Sequence, residues 1–110
     1  MNIKSIIMTI AILGIQIGAF NAVAEEYVVT IKDHQFVPNQ IEMKAGEKHR
    51  LIVINNDATP EEFESYELNR EKIVSGNSKI VIFLTPLKAG EYSFFGEFNP
   101  KTAQGRIVVK

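Results

Sequence analysis

The sequence contains no cysteine. That absence excludes disulfides, thiolate zinc sites, iron–sulfur clusters, thiol catalysis and any type 1 copper centre, whose bonding requires a thiolate. Histidine is scarce: His34 and His49 are the only imidazoles for metal or acid–base work. Charge of one sign is lacking too. The formal net charge is -1, which argues against a nucleic-acid binder. Disorder is also excluded, since 45% hydrophobic and 23% charged residues is the balance of a globular chain. A length of 110 residues holds one small domain.

The start of the chain reads as a targeting segment. Lys4 provides a basic beginning, Ile6 to Phe20 is an apolar run, and Ala22-Val23-Ala24 is an A-x-A cleavage pattern. The run is shorter than the ~20 apolar residues of a spanning helix. Residues 1–24 are expected to be a cleaved secretory signal peptide and 25–110 the folded domain. An exported protein without cysteine must rely on core burial for its stability.

The remainder reads as strands. Tyr27–Lys32, a stretch from near 49 to Ile54, Ser78–Leu84, Tyr92–Phe95 and Gly105–Val109 are rich in β-branched and aromatic residues, with weaker candidates near 41 and 70. Asp33-His34-Gln35, Ala45-Gly46-Glu47, Asn55-Asn56-Asp57 and Lys88-Ala89-Gly90 separate them. Leu51-Ile52-Val53-Ile54 is apolar at every position and predicts a central strand buried on both faces. Short strands at this spacing, about seven in all, predict an all-β sandwich or barrel. Glu61 to Arg70 reads as a loop with room for one helical turn.

Particular residues carry a family resemblance. Phe36-x-Pro38-x-x-Ile41, Lys44-Ala45-Gly46, the strand ending Asn55-Asn56, and Ala89-Gly90-Glu91-Tyr92-Ser93-Phe94-Phe95 before Gly105-Arg106-Ile107-Val108-Val109 together resemble the cupredoxin family. The resemblance implies a Greek-key β-sandwich of the cupredoxin type. The family's copper ligands have no counterpart here. The first histidine's position holds Glu61, the cysteine's holds Gly96 and the second histidine's holds Asn99. The methionine's position falls on Ala103 or Gln104. Blue-copper electron transfer is excluded on chemistry.

Within that family, Pro60-Glu61-Glu62-Phe63-Glu64-Ser65 and Gly96-Glu97-Phe98 resemble a subgroup. It comprises the cupredoxin-like periplasmic components that accompany bacterial high-affinity iron-uptake permeases. The resemblance implies a metal-binding role for the acidic residues. The candidate ligands are Glu61, Glu62, Glu64, Glu97 and Asn99, and the implied cargo is an iron ion, with copper(II) as the competing ion. Asn99 is a departure, since the subgroup carries histidine there. Carboxylates suit hard ions, whereas gathered like charges repel unless a cation neutralises them. Strand alternation places Glu62 and Glu64 on one face and Glu61 on the other. The implied partner is an iron permease or oxidase component at the inner membrane, with no nucleic acid and no small organic substrate. The alternatives are a solvated acidic loop that docks a membrane partner without metal, and a copper(II) carrier. No nucleophile–base pair supports an enzyme. His34 reads as an exposed turn residue and His49 as a solvated strand end between Lys48 and Arg50. Met43 alone follows the signal segment, which excludes a methionine-rich copper carrier.

Overall fold

The computed structural model describes residues 24–110. The expected signal segment, apart from Ala24, lies outside them. The chain forms β1 (Glu25–Lys32), β2 (Gln35–Val37), β3 (Gln40–Met43), β4 (His49–Asn55), β5 (Glu61–Ser65), β6 (Arg70–Val74), β7 (Ser78–Leu84), β8 (Gly90–Gly96) and β9 (Gln104–Val109). There is no helix among the described residues. Two sheets pack face to face, ordered β2-β1-β4-β7 and β3-β9-β8-β5-β6. β1 runs parallel to β4 and β3 parallel to β9, while the remaining pairs are antiparallel.

Nine strands stand where about seven were expected. The hairpin strand β2 is additional, and the acidic segment at 61–65 is a strand rather than a loop. Its helical turn is absent: residues 66–69 form the turn into β6. A period of two places Phe63 inward, and its burial outweighs the weak strand preference of the glutamates around it.

The core lies between the sheets. Val29 and Ile31 of β1, Leu51 and Val53 of β4, Phe63 of β5 and Ile107 of β9 are fully enclosed. The rings of Phe36, Phe63 and Phe94 form its aromatic centre, with Phe36 edge-on to Phe94 at 4.9 Å and Phe63 stacked on Phe94 at 5.0 Å. β4 is central in its sheet but buried on one face only. Leu51 and Val53 point inward, whereas Ile52 and Ile54 are half-buried on the outside. Gly46 has φ 78°, a conformation that glycine adopts without steric cost, and so turns β3 toward β4.

His49 overturns its reading as a solvated strand end. It is 1% exposed, with its ring edge-on to Tyr27 at 5.3 Å. Its Nε2 lies 2.8 Å from the Lys44 carbonyl. The alternation of β4 puts it on the same inward face as Leu51, while Lys48 and Arg50 face out.

His34 sits in the β1–β2 turn, where Asp33 and His34 have φ 53° and 59°. Asp and His tolerate this left-handed region better than most residues. Asp57 holds the turn: its carboxylate accepts the N–H of Asp33 at 2.8 Å and of His34 at 2.9 Å. The His34 Nδ1 lies 3.6 Å from the same group. The His34 N–H is the main cause that holds the Asp57 carboxyl below its ordinary range; partial burial opposes it, while the Asp33 N–H and the charges of His34 and Lys32 assist. A carboxyl lowered in this way stabilises the fold above its unfolded value, and that contribution is lost as pH falls through the native one. Asp57→Ala is expected to cost about 1 kcal/mol at neutral pH. Urea unfolding should show that difference shrinking in strong acid; a difference that persists there assigns the loss to packing instead.

Candidate metal centre

β5 divides the acidic residues between two environments. Glu61, Phe63 and Ser65 point inward and are buried, whereas Glu62 and Glu64 are half-exposed on the outer face of the five-stranded sheet. The inward and outward sets follow the period-two alternation. Ser65 closes the far end of the strand: its hydroxyl donates to the Ser93 carbonyl at 2.6 Å and accepts the Leu68 N–H at 3.1 Å.

Glu61 is 2% exposed. One oxygen accepts the Phe98 N–H at 2.8 Å and the Glu62 N–H at 2.9 Å; the other accepts the Asn99 amide at 2.9 Å. Glu61 and Asn99 are therefore partners of each other. Their hydrogen bonds fasten the β8–β9 loop onto the start of β5, and the Glu97 N–H adds a bond to the Glu62 carbonyl at 2.9 Å. A buried carboxylate is tolerable only with such a set of donors.

This enclosure gathers the positions to which the resemblance assigned the copper ligands. A Cβ at Gly96 would lie 2.6 Å from the Glu61 carboxylate and 2.7 Å from the Ala103 Cβ. Ala103 is fully buried, and its carbonyl accepts the Gly96 N–H at 2.9 Å. The space for a thiolate side chain is filled by Glu61. The four positions Glu61, Gly96, Asn99 and Ala103 thus converge, but as a closed hydrogen-bonded core without a soft ligand, and they do not fit a type 1 copper ion.

The other glutamates gather outside. Oxygens of Glu62, Glu64 and Glu71 lie within 4.8 Å of one another. Glu71 comes from β6, directly opposite Glu64 in the pairing register. Glu97 stands beside the group, and its charge acts on both Glu62 and Glu64. The Glu62 carboxyl is pushed up to about 7, first by its hydrogen bond with Glu71, then by desolvation and the charges of Glu71, Glu64 and Glu97. Glu64 is raised in the same direction by desolvation, then by Glu71 and Glu97. Tyr66 and Phe95, with ring centroids 5.5 Å apart, border the cluster.

Of the five residues singled out in the sequence, the structure brings Glu62 and Glu64 together with Glu97 alongside. It separates Glu61 and Asn99 into the internal pair. Glu71 was missed, because only the β5–β6 register reveals it. The visible signal was a glutamate just after the turn that follows Glu64.

Comparisons with known proteins agree with this architecture. The sequence model of the cupredoxin-like domain matches residues 5–109. An uncharacterized protein of Rickettsia prowazekii (strain Madrid E), RP394, is 55% identical over 84 residues, covering 76% of this chain and 67% of its own. Auracyanin A, a "blue" copper protein from Chloroflexus aurantiacus, superposes with a TM-score of 0.69 at 14% identity, covering 80% of this chain and 100% of its own. The metal-binding domain of the Cu(I)-exporting P-type ATPase CopA from Streptococcus pneumoniae D39 gives 0.66 at 16% identity, covering 77% and 84%. At such identities these structures establish the fold alone. With the sequence match spanning nearly the whole chain, the protein belongs to the cupredoxin-like domain family.

Proposed function

We propose that this protein is a periplasmic metal carrier that binds iron through surface carboxylates and passes it to an uptake permease or oxidase component at the inner membrane. The observation that carries the reading is the convergence of Glu62, Glu64 and Glu71, whose oxygens approach within 4.8 Å; the hydrogen bond to Glu71, desolvation and like-charge repulsion raise the Glu62 carboxyl, and desolvation and repulsion raise that of Glu64. A multivalent cation relieves that repulsion directly. All-oxygen donors suit Fe³⁺, with Mn²⁺ and Ca²⁺ as weaker alternatives and Cu²⁺ as a competitor through its general affinity. An open surface position suits release to a partner better than permanent storage. Glu97 is a further donor within electrostatic reach. Glu61 and Asn99 support the loop that carries it. The apolar run and A-x-A pattern at residues 6–24 support export. The role is carriage rather than catalysis.

Thermal unfolding with chelated Fe³⁺, and with Cu²⁺, Mn²⁺ and Ca²⁺ as comparators, tests this. An ion held at ~100 times its dissociation constant shifts the midpoint of a domain this small by roughly 10–20 °C. Iron should give the larger shift, and Glu64→Gln with Glu71→Gln should abolish it. No shift with any of these ions overturns the reading.

A further inference from the structure

The outer face of the four-stranded sheet takes no part in the acidic centre. Val28, Ile52 and Val81 form one cross-strand row on it, and Arg50 lies opposite Phe83 in the next. Phe83 is 65% exposed and Val28 48%. β7 is an edge of this sheet, with Ile80-Val81-Ile82-Phe83 along its middle. A long apolar edge strand presents unpaired N–H and C=O groups to any strand that approaches, and protein edges are normally blunted by charge, proline, bulges or a covering element. β7 has neither proline nor bulge in its pairing with β4, and Lys79 is its one charge.

Among the described residues, one side chain hydrogen-bonds to that edge. Arg70 Nε donates to the Phe83 carbonyl at 3.2 Å. Arg70 approaches from outside the sheet, so this carbonyl points away from β4. The two-residue period then turns the backbone groups of Val81 and Lys79 the same way. A groove of about 340 Å³, lined by Arg70, Glu71, Lys72, Val81, Ile82 and Phe83, leaves room beside the strand.

We infer that β7 pairs antiparallel with β7 of a second copy of this chain, across a two-fold axis at Val81. The pairing joins the two four-stranded sheets into one and makes their apolar outer faces continuous. Val81 then meets itself, and Lys79 falls opposite Phe83 of the second copy. The charge pattern fits a second copy. Each Lys79 lies beside an aromatic ring, as Arg50 already does over Phe83 within one chain at 6.0 Å. The two Lys79 residues are separated along the pair by ~13 Å, beyond the ~8 Å Debye length at physiological salt. Glu26 and Arg50 on the same face are paired at 3.2 Å, so they offer no surplus charge to select an acidic or a basic partner. The Phe83 carbonyl has two lone pairs and accepts an incoming N–H while keeping Arg70.

Sedimentation equilibrium of the purified protein, from micromolar to millimolar, tests this. The wild type should reach twice the monomer mass. Val81→Lys and Val81→Glu each place like charges face to face on the axis and should sediment as monomers. An equimolar mixture of the two should recover the dimer mass, which shows that both variants fold. A wild type that stays monomeric at millimolar concentration, single variants that still dimerise, or a mixture that stays monomeric each overturns the assignment.

Discussion

Glu61→Ala is expected to lower stability by about 2–4 kcal/mol, the cost of leaving three part-buried donors without their acceptor. The substitution strips the acceptor from the Phe98 N–H, the Glu62 N–H and the Asn99 amide together, around a side chain that is itself enclosed. It also leaves a void beside Gly96, which has no side chain to fill it. A small domain has a total margin of about 5–15 kcal/mol, so the variant approaches the unfolding threshold. Glu61→Gln should behave differently. The glutamine oxygen keeps the Phe98 and Glu62 donors. Its amide donates to Asn99 once the Asn99 side chain turns over, since an asparagine offers an oxygen on one side and an NH₂ on the other. The expected cost is about 1 kcal/mol, the difference between a charged and a neutral acceptor. Urea denaturation of both variants measures the gap. If Glu61 supports the loop, Glu61→Gln also keeps the iron-induced rise in melting temperature. Loss of that rise in a well-folded Glu61→Gln makes Glu61 a ligand and moves the centre inward.

The difference between those two roles explains what the sequence revealed and what it withheld. The sandwich was legible because its markers are local: Phe36, Pro38 and Ile41, then Gly46, then the alternating Tyr92–Phe95. The opposite facing of Glu61 and of Glu62 with Glu64 was legible as well, given a strand there, because it follows from period two alone. The strand itself was obscured. Glutamates fill its outer positions, and inside only Phe63 is apolar, so the segment resembles a solvated loop. The full cluster depends on register: Glu71 joins it because β6 pairs with β5 so that Glu64 faces Glu71. Glu61 and Asn99 lie thirty-eight residues apart, and their bond depends on how the β8–β9 loop folds back. His49 was a misreading of available information. Its charged neighbours drew attention to solvent, but alternation from Leu51 and Val53 already put it on the inner face.

Replacing Glu62 by glutamine should raise the melting temperature at neutral pH and leave it nearly unchanged below pH 4.5. Glu62 is a carboxyl whose native value, about 7, lies above the ordinary 4.5. Between those values the folded protein binds more protons than the unfolded chain, so stability falls as pH rises through the window. The contribution is complete below the unfolded value and lost above the native one. Glutamine removes the charge that causes the loss, and its benefit therefore grows as pH rises from 4.5 and is complete above about 7. Metal binding obeys the same proton balance in the opposite sense. An ion at Glu62, Glu64 and Glu71 must displace the proton held by the raised Glu62 carboxyl, so iron-induced stabilisation should strengthen as pH rises toward 7, and binding in mild acid should release protons. The two experiments together separate the readings of this surface. A pH-dependent gain for Glu62→Gln with proton-coupled iron binding is the behaviour of a carrier. The same gain with no response to iron, Cu²⁺, Mn²⁺ or Ca²⁺ leaves a face held acidic at the expense of stability, and a basic surface on a membrane partner is then the cation that it awaits.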